Sequence, residues 1–335
     1  MQALTARRLL VICGSLAALL LLVMILALKM GAVYVSTSEL VIGLGRKIIG
    51  RDVSFNIDHI VLGMRFPRIL MGMLVGAALS VAGAGFQALL RNPLADPYVL
   101  GVSSGAALGA ILSASASGPA LLTPVAAFFG ACAAITVVYF LGRRGGQLDS
   151  YMLLLAGIIN ASFLSAAIIF LMTRASGQSG RGIAFWLMGD LSSGSPVDLR
   201  LVFPVLVAAV LAIYTTAADL NLLLTGEQEA MHLGVDVPRV KLVVYLSASL
   251  LTGLAVSLSG AIGFVGLLVP HLIRLLFGSD YRVLIPATAI GGAIIMVLAD
   301  ALARTVSAPN ELPVGAVTAL AGAPVFLYLL RRRLA

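Results

Sequence analysis

Charge is scarce in this chain of 335 residues: Asp, Glu, Lys and Arg together make up 11% of it, about half of what a soluble domain carries. Cysteine is scarcer. Cys13 and Cys132 are the two present, and both lie in apolar runs, so no disulfide framework is implied. Lysine occurs three times, at Lys29, Lys47 and Lys241, and never in a Gly-x-x-x-x-Gly-Lys-Ser/Thr context. The chain therefore has no phosphate-binding loop, and any ATP that drives it acts on another chain. The three histidines, His59, His232 and His271, sit in separate loops or span ends and give no metal centre. No metal, no cofactor and no catalytic group are expected on this chain, which is not read as an enzyme. The formal net charge of +8 is dispersed between apolar runs without a basic-aromatic cluster, which argues against a nucleic-acid partner.

Hydrophobic residues, by contrast, make up 60% of the chain. Leu9–Leu28 carries no charge at all and exceeds the roughly 18 residues that span a bilayer core. It is too long for a signal-peptide core and reads as a retained first helix. Apolar windows predict ten spans, near 9–29, 62–82, 103–115, 124–141, 152–173, 201–219, 242–258, 262–277, 284–303 and 313–330. The third and eighth are short, as discontinuous helices would be. The expected fold is an all-α, polytopic membrane protein with a single permease domain over 1–335. Ten spans put both termini on one side, and Arg7, Arg8 and Arg331-Arg332-Arg333 make that side cytoplasmic. Counted over all loops, Lys and Arg divide almost evenly between the two sides. The outer arginines therefore call for an acidic partner beyond the membrane.

A repeat lies within this pattern. Gly76-Ala77-Ala78-Leu79-Ser80-Val81-Ala82-Gly83-Ala84 returns as Gly253-Leu254-Ala255-Val256-Ser257-Leu258-Ser259-Gly260-Ala261, and both copies run through a Phe and a Leu-Leu pair into Pro93 or Pro270. Hydrophobic units broken by Gly and Pro at matching places point to a transporter built from repeats. Five helices separate the copies, an odd number, so spans 2–5 and 7–10 should form an inverted repeat with breaks at Pro93 and Pro270.

The loop from Asn221 to Lys241 (221–241) is the longest on the inner side. Gly226 and Gly234 bracket a short helix in which Glu227 and Glu229 stand near the start, where the helix dipole favours them. Ala230, Leu233 and Val237 form an apolar stripe. Such a helix fits a groove on a cytoplasmic partner, and equally fits an ordinary solvated connector. Asp300 and Arg304, four residues apart near an outer span end, are either a functional pair or a self-satisfying ion pair.

Several segments together resemble one family. They are Arg65-Phe66-Pro67-Arg68, Asn92-Pro93-Leu94-Ala95-Asp96-Pro97, Leu154-Leu155-Ala156-Gly157, the Gly226-Glu227 loop, Gly260–Leu267 through Pro270-His271-Leu272-Ile273-Arg274, and Glu311-Leu312-Pro313-Val314-Gly315. The family is that of permease subunits of binding-protein-dependent ABC importers for iron–siderophore complexes, haem and vitamin B12. The resemblance covers about residue 60 to the C terminus. It implies a homodimer in the bacterial inner membrane, two ATPase subunits holding ATP-Mg below, and a periplasmic substrate-binding protein above. It also implies that Gly226, Glu227, Glu229, Ala230, Leu233, Gly234 and Val235 couple to the ATPase. Arg65, Arg68 and Arg304 match positions that dock the binding protein. Asn92 and Leu94 match the inner gate, to which Ser150 and Tyr151 add a second part, with Tyr151 bulkier than the small hydroxyl residue often found there. A ferric siderophore is the foremost cargo on this resemblance, with haem and cobalamin behind. The competing reading is an ion-coupled secondary transporter, for which Asp300 is the one serious carboxylate.

Overall fold

The computed structural model describes residues 5–115, 122–174, 186–192 and 199–334. Helix α1 (Ala6–Lys29) starts where the Thr5 side chain caps the N–H of Arg8 and ends on Lys29. It is followed by α2 (Thr37–Ile48), capped by Ser36 through the N–H of Glu39. A π-helical stretch, Asn56–Arg65, runs without a break into α3 (Phe66–Leu89). A 3₁₀ turn at Pro97–Leu100 leads to α4 (Val102–Ser115), followed by α5 (Leu122–Leu141). A two-stranded hairpin, β1 (Arg143–Arg144) and β2 (Gln147–Leu148), then precedes α6 (Ser150–Arg174). The second half comprises α7 (Leu199–Thr215), α8 (Ala217–Leu223), the short α9 (Glu227–His232), α10 (Val237–Ser259), α11 (Val265–Phe277), α12 (Tyr281–Ala303) and α13 (Val314–Leu334).

Among the described residues, six helices are long and apolar enough to cross a bilayer. The α7–α8 pair, bent by 49°, adds a seventh span, and three shorter apolar helices, α4, α11 and α13, bring the number to ten. The expected spans are thus present with shifted edges. The span expected at 62–82 belongs to a continuous helix of 34 residues, Asn56–Leu89. The span expected at 201–219 is bent at Thr216, which separates α7 from α8. Helix α2 was not expected at all.

Helices α3, α10 and α12 form the centre, with 72–78% of their apolar windows buried, whereas α1, α5 and α6 lie at the edge with 17–22% buried. Small residues allow the central helices to touch. A Cβ on Gly83 would stand 1.9 Å from the carbonyl oxygen of Gly266 in α11, and one on Gly76 would stand 2.3 Å from that of Gly292 in α12. Close backbone approach of this kind is how membrane helices gain van der Waals contact where no hydrophobic effect draws them together.

Side-chain bonds fix the helix directions. Arg68, at the start of α3, pairs with Asp300 at the end of α12. The other end of α3 offers its Leu89 carbonyl to Ser150 at the start of α6, and the neighbouring Leu148 carbonyl accepts from Lys241 at the start of α10. Helices α3 and α10 therefore run in opposite directions, as the inverted repeat requires. The breaks, however, are not at matching prolines. Helix α3 continues to Leu89 before it breaks, whereas α10 ends at Ser259 with Gly260 at φ +68° and Phe264 at φ +68°. Pro270 lies inside α11. A left-handed glycine stops α10 earlier, so Pro93 and Pro270 are not equivalent.

Candidate functional site: two polar ends and a central clasp

The face that carries the N terminus gathers α9, the loop after α3 and the start of α6. Gly226 caps α9 at φ +139°, and a Cβ there would meet the Glu229 carboxylate at 1.9 Å, so that carboxylate folds back over a position only glycine fills. Glu227 pairs with Lys241 Nζ at 2.6 Å. Lys241, 4% exposed, also donates to the Leu148 carbonyl at 3.1 Å. Ala230 and Val235 are buried against the bundle, while Met231 and Leu233 are 51% and 63% exposed. The expected stripe of Ala230, Leu233 and Val237 is accordingly split: Ala230 and Val237 face inward and Leu233 faces outward. The helix ends at His232 and the chain turns through Gly234 at φ +87°, so helical periodicity does not carry across.

The residues expected at the inner gate, Asn92, Leu94, Ser150 and Tyr151, share this face. Asn92 Oδ1 accepts from the N–H of Leu94 at 2.9 Å, closing a tight turn that leaves Leu94 47% exposed. Ser150 Oγ donates to the Leu89 carbonyl at 2.8 Å, holding the start of α6 against the end of α3. Tyr151 beside it is 69% exposed. A further knot, missed in the sequence, lies nearby: Asn221 Nδ2 donates to Asp280 Oδ1 at 2.8 Å, and the N–H of Tyr281 donates to Asn221 Oδ1 at 2.9 Å. Arg282 completes it by pairing with Asp280. Its hydrogen bond, with that of Asn221, pulls the Asp280 carboxyl down to about 2.

At the opposite face the three expected arginines meet, but largely beneath the surface. Arg65 is 6% exposed and donates to the carbonyls of Leu28 and Val33. Arg304 is 5% exposed and donates to the carbonyls of Ala27 and Met30 at 3.3 and 3.1 Å. Both guanidinium groups thus cap the orphan carbonyls at the C-terminal end of α1. Arg68 bridges Asp300 at 2.8 Å and the half-exposed Glu311 at 2.6 Å. Asp300 also lies 3.0 Å from Arg304 Nε, at an angle too poor for a hydrogen bond, so that contact is Coulombic. A cavity of about 510 Å³ opens here, lined among others by Met64, Arg65, Arg68, Met71, Leu191 and Glu311.

Between the two ends, the two helix breaks touch. The Tyr98 hydroxyl donates to the carbonyl of Ile262 and accepts from its N–H, both at 2.8 Å. Pro97 packs on Gly266, and Gln87 Nε2 points at the carbonyls of Ala95, Gly266 and Leu267 at 3.3–3.5 Å. Tyr98 and Lys241 were both visible as residues, but no spacing rule joins them to partners 164 and 14 positions away. Gly101-Val102-Ser103-Ser104-Gly105 has the spacing of a serine-hydrolase elbow, yet a 3₁₀ turn rather than a strand precedes it, so that context is missing. No group of three or more His, Cys, Asp or Glu among the described residues could hold a metal ion.

A ten-span helical bundle with broken helices meeting at its centre, and a short helix hung from one face, defines a membrane permease. The model of the FecCD transport family matches residues 19–332. This chain belongs to that family. It is 42% identical over 325 residues to the hemin transport system permease protein HmuU of Yersinia pestis, covering 94% of each chain. It is 44% identical over 271 residues to the cobalamin import system permease protein BtuC of Halobacterium salinarum, covering 81% of this chain and 73% of that one. A solved inward-facing structure assigned to the metal-chelate type of ABC transporter superposes with a TM-score of 0.81 at 31% identity, covering 96% of this chain and 98% of that one.

Proposed function

We propose that this chain carries a metal chelate across the bacterial inner membrane as the permease of an ABC importer. It works as one membrane unit, paired as a homodimer with both termini cytoplasmic. The observation that carries this reading is α9. Its inner side is locked by Ala230 and the Glu227–Lys241 pair, and its outer side presents Met231 and Leu233 to a partner. A separate ATPase that binds ATP-Mg would seat there, and this chain itself would hold no cofactor. Gly226, Glu229, Gly234 and Val235 shape the element; Glu227 holds it in place.

Asn92, Leu94, Ser150 and Tyr151 would then narrow the pathway on the cytoplasmic side, since Leu94 and Tyr151 project from an anchored turn and an anchored helix start. The arginine face would receive the periplasmic binding protein. Three arginines against Asp300 and Glu311 leave one positive charge, of which Arg68 and Glu311 are nearest the surface. Arg65 and Arg304 act from beneath, through the shape they give the end of α1. Along α6, Ile158, Ile159, Phe163 and Phe170 are exposed in the protomer. Facing their dimer mates, they would line an apolar channel that binds a bulky chelate weakly and so lets it leave.

Ferric siderophore is the foremost cargo, with haem and cobalamin as alternatives, in line with relatives named for hemin, cobalamin and Fe(3+)-citrate. The ion-coupled reading is disfavoured because Asp300 is already held by Arg68 and approached by Arg304. Uptake by vesicles containing the permease, its ATPase and its loaded binding protein tests the proposal. Vanadate should abolish uptake, whereas collapse of the ion gradient should leave it unchanged; the reverse pattern would establish the secondary transporter.

A further inference from the structure

We propose that the cleft between the first turn of α1 and the end of α11 binds the headgroup of an anionic phospholipid. The cleft holds about 450 Å³, within the range of small-ligand sites, and its lining is divided in chemistry. At the rim stand Arg7 and Arg8; along the wall stand Val11, Ile12, Leu276 and Phe277. Arg8 donates through Nη2 to the Phe277 carbonyl at 2.8 Å, which fixes its guanidinium at the mouth and satisfies the end of α11. Arg7 is exposed, and among the described residues it has no carboxylate partner. Asp280, three residues beyond Phe277, is taken up by Arg282 and Asn221. The cleft is therefore a positive mouth without a counter-charge.

The wall decides between a free anion and a lipid. Val11 and Leu276 are 63% and 70% exposed, on helices that lie within the bilayer. A small anion would satisfy the arginines but make no contact with either side chain, leaving both to the bulk acyl chains. A phosphodiester carrying acyl chains would cover both: its oxygens take the planar guanidinium forks, and its chains run along Val11 and Leu276. Basic pockets between membrane helices on the cytoplasmic side suit anionic headgroups in this way. The inference rests on the membrane-spanning fold and on neither the cargo nor the coupling helix.

Native mass spectrometry of the detergent-purified transporter complex, incubated with phosphatidylglycerol, phosphatidylcholine or inorganic phosphate, tests it. The wild type should retain phosphatidylglycerol in preference to phosphatidylcholine. Arg7→Gln, which breaks no bond in the fold, should lower that retention about fivefold, the worth of one arginine near a membrane surface. Arg7→Gln with Arg8→Gln should lower it further, and Leu276→Ser should also lower it. Arg46→Gln, an exposed arginine of α2 on the opposite face, should leave it unchanged. Retention by Arg7→Gln equal to the wild type, or equal retention of the two lipids, would overturn the proposal. So would displacement of the lipid by inorganic phosphate with Leu276→Ser neutral, which would make the cleft a small-anion site.

Discussion

Lys241 sits in the second turn of α10 with 4% of its side chain exposed, and its ammonium is shared between the Glu227 carboxylate and the Leu148 carbonyl. A buried charge persists only where paired and hydrogen-bonded, and removal of one partner leaves the others stranded. The partners differ in what they lose. Glu227 is one-third exposed and can turn to water, whereas the Leu148 carbonyl has less freedom. Lys241→Met should therefore destabilise the protein by about 1–3 kcal/mol, seen as a lower apparent melting temperature in detergent. Glu227→Gln should cost at least as much, because it leaves the buried ammonium without a counter-charge. A clearly smaller cost would show that the Leu148 carbonyl alone is enough to hold the ammonium. Asp280 makes a second residue-scale prediction. Its folded carboxyl at about 2 lies below the ordinary value of 3.8, so the stabilisation it gives is fully present above about pH 4 and fades as pH falls toward 2. Asp280→Asn should lower the apparent melting temperature at pH 7 and pH 5 alike. The gap to the wild type should close as pH is brought below 4, and a gap independent of pH would assign the effect to altered hydrogen bonding rather than to the carboxylate charge.

At the scale of elements, α9 and the central clasp make separable claims. Met231 and Leu233 leave the bundle while Ala230 and Val235 enter it, so Met231→Asp with Leu233→Asp should abolish ATPase co-purification at least tenfold without lowering permease yield. Ala230→Asp should instead reduce yield, because it places a charge at a fully buried site. The clasp predicts a different signature. Tyr98→Phe keeps the ring but leaves both the N–H and the carbonyl of Ile262 without the hydroxyl. Basal ATP hydrolysis by the assembled transporter should then rise relative to cargo uptake, as the two breaks move independently. An unchanged ratio of hydrolysis to uptake would reduce Tyr98 to a packing residue. These elements differ in how far the sequence revealed them. Apolar length alone located the long spans, because bilayer thickness sets that length. It also marked α4 and α11 as short. Helix α2 was hidden: its twelve residues are too few to register as a span, and Lys47 and Glu39 reach partners at Asp58 and at Ser54 and Asn56 that only folding supplies. Arg65 and Arg304 were found for their charge, and their caps on α1 were not, since a guanidinium bound to backbone carbonyls leaves no pattern in side-chain types.

For the whole molecule, the consequence is a chain whose halves face opposite ways. Helix α3 descends from Arg68 to Leu89 while α10 ascends from Val237 to Ser259, and the end of α3 and the start of α10 are both tied to the Leu148–Ser150 segment. The Asn92–Leu94 turn and the arginine cluster, at the two ends of α3, must then lie on opposite sides of the membrane, whichever side is cytoplasmic. Gly260 is buried, so a label there would report on packing rather than sidedness. Leu94 and Glu311, 47% and 44% exposed, are better placed. With Cys13 and Cys132 replaced by Ser, Leu94→Cys and Glu311→Cys should react with a membrane-impermeant maleimide from opposite faces of sealed vesicles. Leu94 should react in inside-out vesicles and Glu311 in right-side-out ones. Opposite sidedness with the two preparations exchanged would keep the fold and invert the assignment of the termini. Labelling of both residues from one side would reject α3 as a span that carries the Asn92–Leu94 turn and the arginine cluster to opposite sides of the membrane.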